Sequence, residues 1–578
     1  MSTIQDLIHR MLPDGTGLDP DLPASWDACP FWPPDLFAVA GRMVELGSVH
    51  TRPWMYAAPG SQGHAALTSR DARRFEIVGR RRRLKGRSIY IDLLWSRLIR
   101  AFGETPVAAL ADTANATHAE LQKIVVKLMC IADEACAGMG FGVDDTSGDV
   151  AIAAYGAMAM HMRQRQGKVP LPYLPHSFCI QVPDHAACVL PKTRLPSVGC
   201  TLRALSRNVA LLPPAGIVRA PWLPSAGMAD GLLQDDDRLN LLVVPYPYRA
   251  NGHILQPVTT TTPGTARYFC VDFESYTIPG STGNVKEAAE ALSRLIRRAE
   301  DEIGTIHGVL FPEYAMPPTI ARWLSRHVAS NHPGLELFVT GSLARANSSA
   351  SLVSNLAMTA HYDQGRLLRR WSQNKHHRWK LDGDQIRRYH LGHALDVNDE
   401  WWESIDVDQR TCNFSVVRNG LSLAVLICED LARMDPVMPV IHAVGPSLVV
   451  ALLMDGPQLE ARWPGRYATA LAKIRGLPCS PLPPRHLSGA APVRRDHRWL
   501  GSGKSRVVGH GNCISAPRIL ASRSPLPACR VRKSPWMDGD AQFRAAAFRW
   551  YPHGPWQLTN DIPTCFHGTA AELDPMVF

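Results

Sequence analysis

Two apolar runs, Gly308-Val309-Leu310-Phe311 and Leu421-Ser422-Leu423-Ala424-Val425-Leu426-Ile427, restrict what this chain can fold into more than any other feature. The first ends in Pro312-Glu313 and the second in Cys428-Glu429-Asp430. Short apolar runs bounded by such breaks read as strands buried on both faces. In open α/β sheets the carboxyl ends of strands are where sites form. A carboxylate and a thiol are thus expected at one edge of a buried sheet.

A third group is expected to reach the same edge. Asn355-Leu356-Ala357-Met358-Thr359-Ala360 and Arg369-Arg370-Trp371-Ser372-Gln373-Asn374-Lys375-His376-His377 flank the turn Asp363-Gln364-Gly365, which reads as a hairpin with Lys375 at its end. Glu313, Lys375 and Cys428 together are the parts needed to attack a carbon–nitrogen bond. A thiol with a pKa of about 8.5 is only slightly ionised at neutral pH and needs a base or cation beside it. Glu313 suits the base. Attack on an amide or nitrile carbon builds negative charge that a desolvated ammonium and a backbone N–H stabilise, roles that Lys375 and the Glu429 N–H fit. Lys380, in Trp379-Lys380-Leu381, is an alternative for the lysine. His376 and His377 read as packing or substrate-binding residues, since no Cys or carboxylate completes a metal-ligand spacing around them.

In this order and spacing the residues resemble the nitrilase, or carbon–nitrogen hydrolase, superfamily. Its pattern is a strand ending Phe-Pro-Glu, a Lys followed by His, and a strand ending in Cys before an acidic residue. The resemblance spans roughly 239–472 and includes an opening strand at 239–246, an amphipathic helix at 285–302 and the run Leu337-Phe338-Val339-Thr340-Gly341-Ser342. It implies an α/β fold of the αββα sandwich type and hydrolysis of a non-peptide C–N bond in a small amide or nitrile. The intermediate would be a Cys428 thioester, assisted by Glu313 and Lys375. It implies no metal and no organic cofactor, and a homo-oligomer pairing through residues 434–445. The same trio also supports acyl transfer to an amine or other acceptor, and an inactive binding or regulatory protein is a further alternative. One departure concerns the second Glu that many members carry soon after the Lys. Here the next acidic residues are Asp382 and Asp384, and the first glutamates are Glu400 and Glu403.

The rest of the 578 residues divides unevenly. Residues 1–230 read as a mainly helical N-terminal domain, from the helical spacing of Ala119 to Met129 and of Tyr90 to Phe102 and from Pro-rich breaks; Asp235-Asp236-Asp237 marks entry to a hydrolase domain at 237–472. Within the first domain Arg80-Arg81-Arg82-Arg83, with Arg73, Arg74, Lys85 and Arg87, forms a basic tract near Tyr90 and Trp95. Such a tract can track a nucleic-acid backbone, or serve as a solvated face or domain contact.

From Lys473 the periodicity fades. Between Lys473 and Trp536 there are thirteen Lys and Arg against the single Asp496, an excess greater than the whole chain's net charge of +10, so the basic balance belongs to the tail. Read one nucleotide earlier with free synonymous codons, 473–484 can encode Glu-Asp-Pro-Gly-Leu-Ala-Val-Leu-Thr-Leu-Thr-Ser, a helix end, a turn and a strand. The expectation for 473–578 is therefore an aberrant basic Pro/Arg-rich tail arising from a shifted frame. Gly501-Ser502-Gly503-Lys504-Ser505 is not a phosphate-binding loop, because Arg498 stands where its first Gly should be. Thirteen scattered Cys without a Cys-x-x-Cys pair, no 18-residue apolar stretch and no signal-like start give the expectation of a soluble cytoplasmic protein without membrane contact.

Overall fold

Buried strand residues sort to alternate sides of one sheet, and that alternation organises the molecule. The computed structural model describes residues 2–17, 23–51, 69–85, 88–112, 114–141, 176–193, 205–214, 218–223, 239–244, 246, 254–258, 266–271, 285–345, 353–408, 410–418, 421–454, 467, 530–532 and 546–550. It is a mixed α/β fold with several sheets. In the largest sheet the strand order is Arg366–Asn374, Val353–Asp363, Leu337–Arg345, Gly308–Leu310, Leu239–Val243, Ala546–Trp550 and Arg530–Arg532. Gly308–Leu310 runs parallel to both its neighbours. The hairpin pairs antiparallel through the turn at Gln364 and Gly365, both at positive φ.

Because side chains alternate along a strand, Leu242, Val309 and Phe338 face the helices Val285–Ile303 and Pro318–Asn331. The first helix meets them with Ala289, Leu292, Ile296, Ala299 and Ile303, the three-and-four spacing of a single apolar stripe. Leu241, Val243, Leu310 and Val339 point the other way, into a cluster with Leu423 and Val425. Those last two belong to a second sheet, ordered Leu448–Leu452, Leu421–Ile427, Phe414–Arg418 and Trp222–Leu223. A third sheet, Lys380–Leu381, Trp401–Glu403, Arg267–Val271 and Leu255–Val258, holds its own cluster with Tyr314.

The N-terminal residues carry helices at Ile4–Met11, Pro33–Leu46, Ser69–Lys85, Ile89–Phe102 and Ala116–Ala135, followed by a two-stranded sheet of Cys188–Pro191 and Val209–Leu212. The buried Asp133 carboxylate ties the last helix to that sheet by accepting the N–H groups of Arg207, Asn208 and Val209 at 2.7, 3.0 and 2.9 Å. The basic tract lies on the helix Ser69–Lys85. Two of its arginines are used inside the fold: Arg82, 4% exposed, donates to the carbonyls of Pro30 and Phe31, and Arg83 donates to Ala137 O at 2.6 Å. Arg80 and Arg81 are exposed.

The expected boundary near 230–237 lies outside the described residues, yet the chain before it already belongs to the second sheet. Trp222–Leu223 pairs parallel with Phe414–Arg418. The Trp222 indole donates to Gly140 O at 2.8 Å, stands edge-on to Phe141 and stacks on Phe414. Part of the segment 434–445, where a second copy is expected to pair, packs within the chain, while Met434, Asp435 and Pro439 are exposed. Met438, Val440 and Ile441 share a cluster with Cys188, Leu190 and Leu212, and Thr193 N–H donates to Val444 O at 3.0 Å.

Of the tail, the antiparallel pair at 530–532 and 546–550 is described and extends the large sheet beside Leu239–Val243. The segment 473–484, where a shifted frame is expected, the Asp235–Asp237 entry and all of 462–472 except Tyr467 lie outside the described residues. Among the described residues no helix is long and apolar enough to cross a membrane.

Candidate active site

Glu313 is delivered by a chain that leaves its strand at Leu310 and turns sharply. Tyr314, the next residue, sits at φ 56°, a left-handed conformation uncommon for a side-chain-bearing residue. The turn lies directly on Gly341: Gly341 N–H donates to Pro312 O at 2.8 Å and Ala315 N–H to Gly341 O at 3.1 Å. A Cβ at position 341 would stand 2.4 Å from Glu313 Cα, so only glycine permits this approach. Ser342 Oγ adds a bond to Met316 O at 2.8 Å.

Lys375 is the first residue beyond the hairpin strand Arg366–Asn374, and its N–H donates to Asn355 O at 2.8 Å on the neighbouring strand. Its side chain, 1% exposed, reaches Glu313 Oε1 at 3.1 Å and Glu403 Oε2 at 2.8 Å. Glu403 ends the strand Trp401–Glu403 and also accepts from Trp379 N–H at 2.9 Å. Asn355 Nδ2 bridges both carboxylates, at 2.8 Å to Glu313 and 3.1 Å to Glu403. Tyr314 Oη donates to Glu403 Oε1, and Met454 N–H to Glu313 Oε2 at 2.9 Å.

Cys428 follows the strand Leu421–Ile427 at φ 44°, opens the turn Cys428–Leu431 and is 6% exposed. A left-handed non-glycine residue at the end of a fully buried strand marks a locally strained backbone, a feature that concentrates at functional positions. The thiol stands close enough to Lys375 and Tyr314 for its charge to act on both.

The electrostatics follow from two carboxylates facing one ammonium in a dry site. Burial raises the Glu313 carboxyl above its ordinary value; Lys375 works against this and the Glu403 charge works with it. Burial pulls the Lys375 ammonium down, but Glu313, Glu403 and Cys428 outweigh it and hold Lys375 well above its ordinary value, so it stays charged. Burial, with Glu403 and Glu313, pushes Tyr314 well up, so it remains a neutral donor. Moving a proton from Cys428 to Glu313 leaves the net charge of this buried group unchanged, which keeps the transfer from costing extra desolvation.

Side chains beyond the trio bind the two sheets together here. Asp430, fully buried, accepts His376 N–H at 3.0 and 3.1 Å and pairs with His377 Nδ1 at 3.0 Å. Burial lowers the pKa of His376 despite Asp430, and its Nε2 faces Thr411 O at 3.0 Å, which fixes the neutral Nε2–H tautomer. Gln373 Nε2 donates to Val425 O at 2.7 Å, while its Oε1 accepts Asn413 N–H at 2.8 Å.

The alternative lysine lies elsewhere: Lys380 pairs with Glu400 at 2.7 Å near the surface, over the Trp402 ring. Of the two glutamates left open in the sequence, Glu403 joins Glu313 and Lys375 while Glu400 does not. Asn355, Tyr314 and Asp430 escaped sequence reasoning. Their only signals were a polar residue inside an apolar strand and simple adjacency to Glu313 and Cys428.

No protein-family model and no curated protein matches the chain. Among solved structures it is similar to a glutamine-dependent NAD+ synthetase from Acinetobacter baumannii in complex with ADP, at 12% identity and TM-score 0.24, covering 41% of this chain and 36% of that one. It is also similar to Saccharomyces cerevisiae Nit3, a member of branch 10 of the nitrilase superfamily, at 11% identity and TM-score 0.24, covering 41% and 71%. A third is a carbon–nitrogen hydrolase from Helicobacter pylori G27, at 11% identity and TM-score 0.23, covering 41% and 68%. The chain thus spans little more than a third of the synthetase's length.

Proposed function

We propose that this chain hydrolyses a non-peptide C–N bond of a small amide or nitrile through a Cys428 thioester, on an αββα sandwich of the nitrilase type. The observation that carries the reading is the buried Lys375 ammonium shared between Glu313 and Glu403, with the Cys428 thiol within its field on a strained turn. For an amide, Glu313 takes the thiol proton and the thiolate attacks the carbonyl carbon. The oxyanion is held by Lys375 and the Glu429 N–H. Its collapse breaks the C–N bond, and Glu313 returns the proton to the departing amine. Water, deprotonated by Glu313, then attacks the thioester and releases the acid and the thiol. Glu403 and Asn355 keep Lys375 and Glu313 in position throughout.

The test is ammonia and acid release from a panel of amides and nitriles, with intact-mass detection of an acyl adduct on Cys428. Activity lost in Cys428→Ala, with an adduct that forms on the native chain and decays in water, supports hydrolysis. An adduct that decays only when an amine is supplied assigns acyl transfer instead. Absence of both adduct and release across the panel removes the enzymatic reading and leaves the binding or regulatory alternative.

A further inference from the structure

Resting on that reading, we propose that Asp430 is a positioning residue that latches the lysine-bearing turn to the nucleophile's turn. Three observations converge on it. It lies two residues beyond Cys428, in the same short turn, and is fully buried. Its two oxygens accept the N–H of His376, the residue next to Lys375, at 3.0 and 3.1 Å. Oδ1 also pairs with His377 Nδ1 at 3.0 Å, so the two consecutive residues that follow Lys375 at one sheet's hairpin end are tied to the other sheet's strand end through one carboxylate. The bonds are charge-assisted and screened from water, the setting in which such contacts are strongest.

Glu313 and Glu403 hold the Lys375 ammonium, while the Lys375 backbone, just beyond its strand, bonds to the Asn355 carbonyl of its own sheet and Cys428 ends a strand of the other. Two sheets that pack face to face can slide, and misplacing a catalytic group by about 1 Å can cost about a hundredfold in rate. Gln373 limits that freedom two residues before Lys375, and Asp430 limits it at the turn that follows. It touches neither thiol nor substrate in this role; it acts through Lys375. The charged and titratable groups of the site are Glu313, Lys375, Glu403 and Tyr314, with Asp430, His376 and His377 on the latch.

The experiment compares iodoacetamide alkylation of Cys428 against pH in the full-length chain, in Asp430→Asn and in His377→Ala, with the melting temperature recorded for each. Loss of the Asp430 charge alone would lower the alkylation midpoint; the latch predicts instead that D430N shifts it upward, by about one pH unit, and lowers kcat at least tenfold with KM little changed, because Lys375 is no longer held in place. His377→Ala, whose side chain is a quarter exposed, should shift it in the same direction by less. A folded D430N with an unchanged midpoint overturns the latch; should D430N fail to fold, an unchanged midpoint in H377A does so. A native chain whose Cys428 reacts no faster than a free thiol removes the hydrolase reading instead, and so separates the two failures.

Discussion

Glu313 and Lys375 are each expensive to bury: Glu313 depends on Lys375, and Lys375 is held by Glu313 and Glu403 together. Removing one partner of a buried pair leaves an uncompensated charge and costs about 3–5 kcal/mol. Lys375→Met is therefore expected to lose both activity and about that much stability, measurable by urea denaturation. Glu313→Gln, which keeps the shape and lowers the negative charge, should lose activity while retaining most of its stability. Because burial and the Glu403 charge raise the Glu313 carboxyl, the acid limb of the native pH–rate profile should fall above the ordinary carboxylate range of about 4.3. Activity is lost as pH falls through that point, since the protonated acid cannot take the thiol proton.

A second residue-scale effect concerns stability alone. Burial, followed by the charge of Asp133, pushes Glu134 up to about 7 from 4.5. A folded pKa above the unfolded one means the folded chain binds the proton more tightly, so this group's contribution is full below about pH 4 and is lost as pH rises through 7. Glu134→Gln should leave stability nearly unchanged at pH 4 and raise it at pH 8, by on the order of 1–2 kcal/mol once partial exposure is discounted. Thermal melts at the two pH values check the sign.

Among the elements, Gly341 is where strand and site depend on one another. Gly341→Ala would drive a methyl into Glu313 Cα and Pro312 O. The expected outcome is about 1–3 kcal/mol of lost stability with a disproportionate fall in kcat, read by denaturation and kinetics on the same sample. The strands and hairpin that carry the trio were legible because each is a continuous apolar run with a break at its end, and the helix Val285–Ile303 because its stripe repeats at helical spacing. The helix Ser69–Lys85 was not legible. Its apolar residues are few among arginines, and its inward face is completed by Arg82, whose burial depends on carbonyls about fifty residues away. Glu403 could be offered only as one of two glutamates, because its entry to the site depends on a parallel pairing with Arg267–Val271 that no local pattern encodes. The Asp430 latch was invisible for the same reason: its partners lie 53 and 54 residues away.

At the scale of the molecule, the described residues up to 223 and the sheet that carries Cys428 share one apolar cluster through Cys188, Leu190, Leu212 and Trp222. Trp222→Ala is expected to cost about 3–5 kcal/mol. Near- and far-ultraviolet circular dichroism should show both parts unfolding in a single transition, whereas two separated transitions would mean that the contact does not couple them. The sequence suggested a division near 230 because Pro-rich segments and an acidic triplet interrupt the chain there. Breaks in composition mark where the backbone bends, but packing ignores them, and Trp222 crosses the division to pair with Phe414.

The seam around Trp222 also bears on how such a chain can be altered. Excising residues 237–472 to obtain a minimal catalyst would strip the strand Trp222–Leu223 from its sheet and uncover the apolar side of Met438–Val444. The fragment would present a raw edge and a greasy patch, the two surfaces by which chains most readily clump. The leading third is therefore not an interchangeable cassette. Any replacement grafted in front of residues 237–472 would have to arrive with its own indole for Phe414 and its own apolar lid for the helix Met438–Val444.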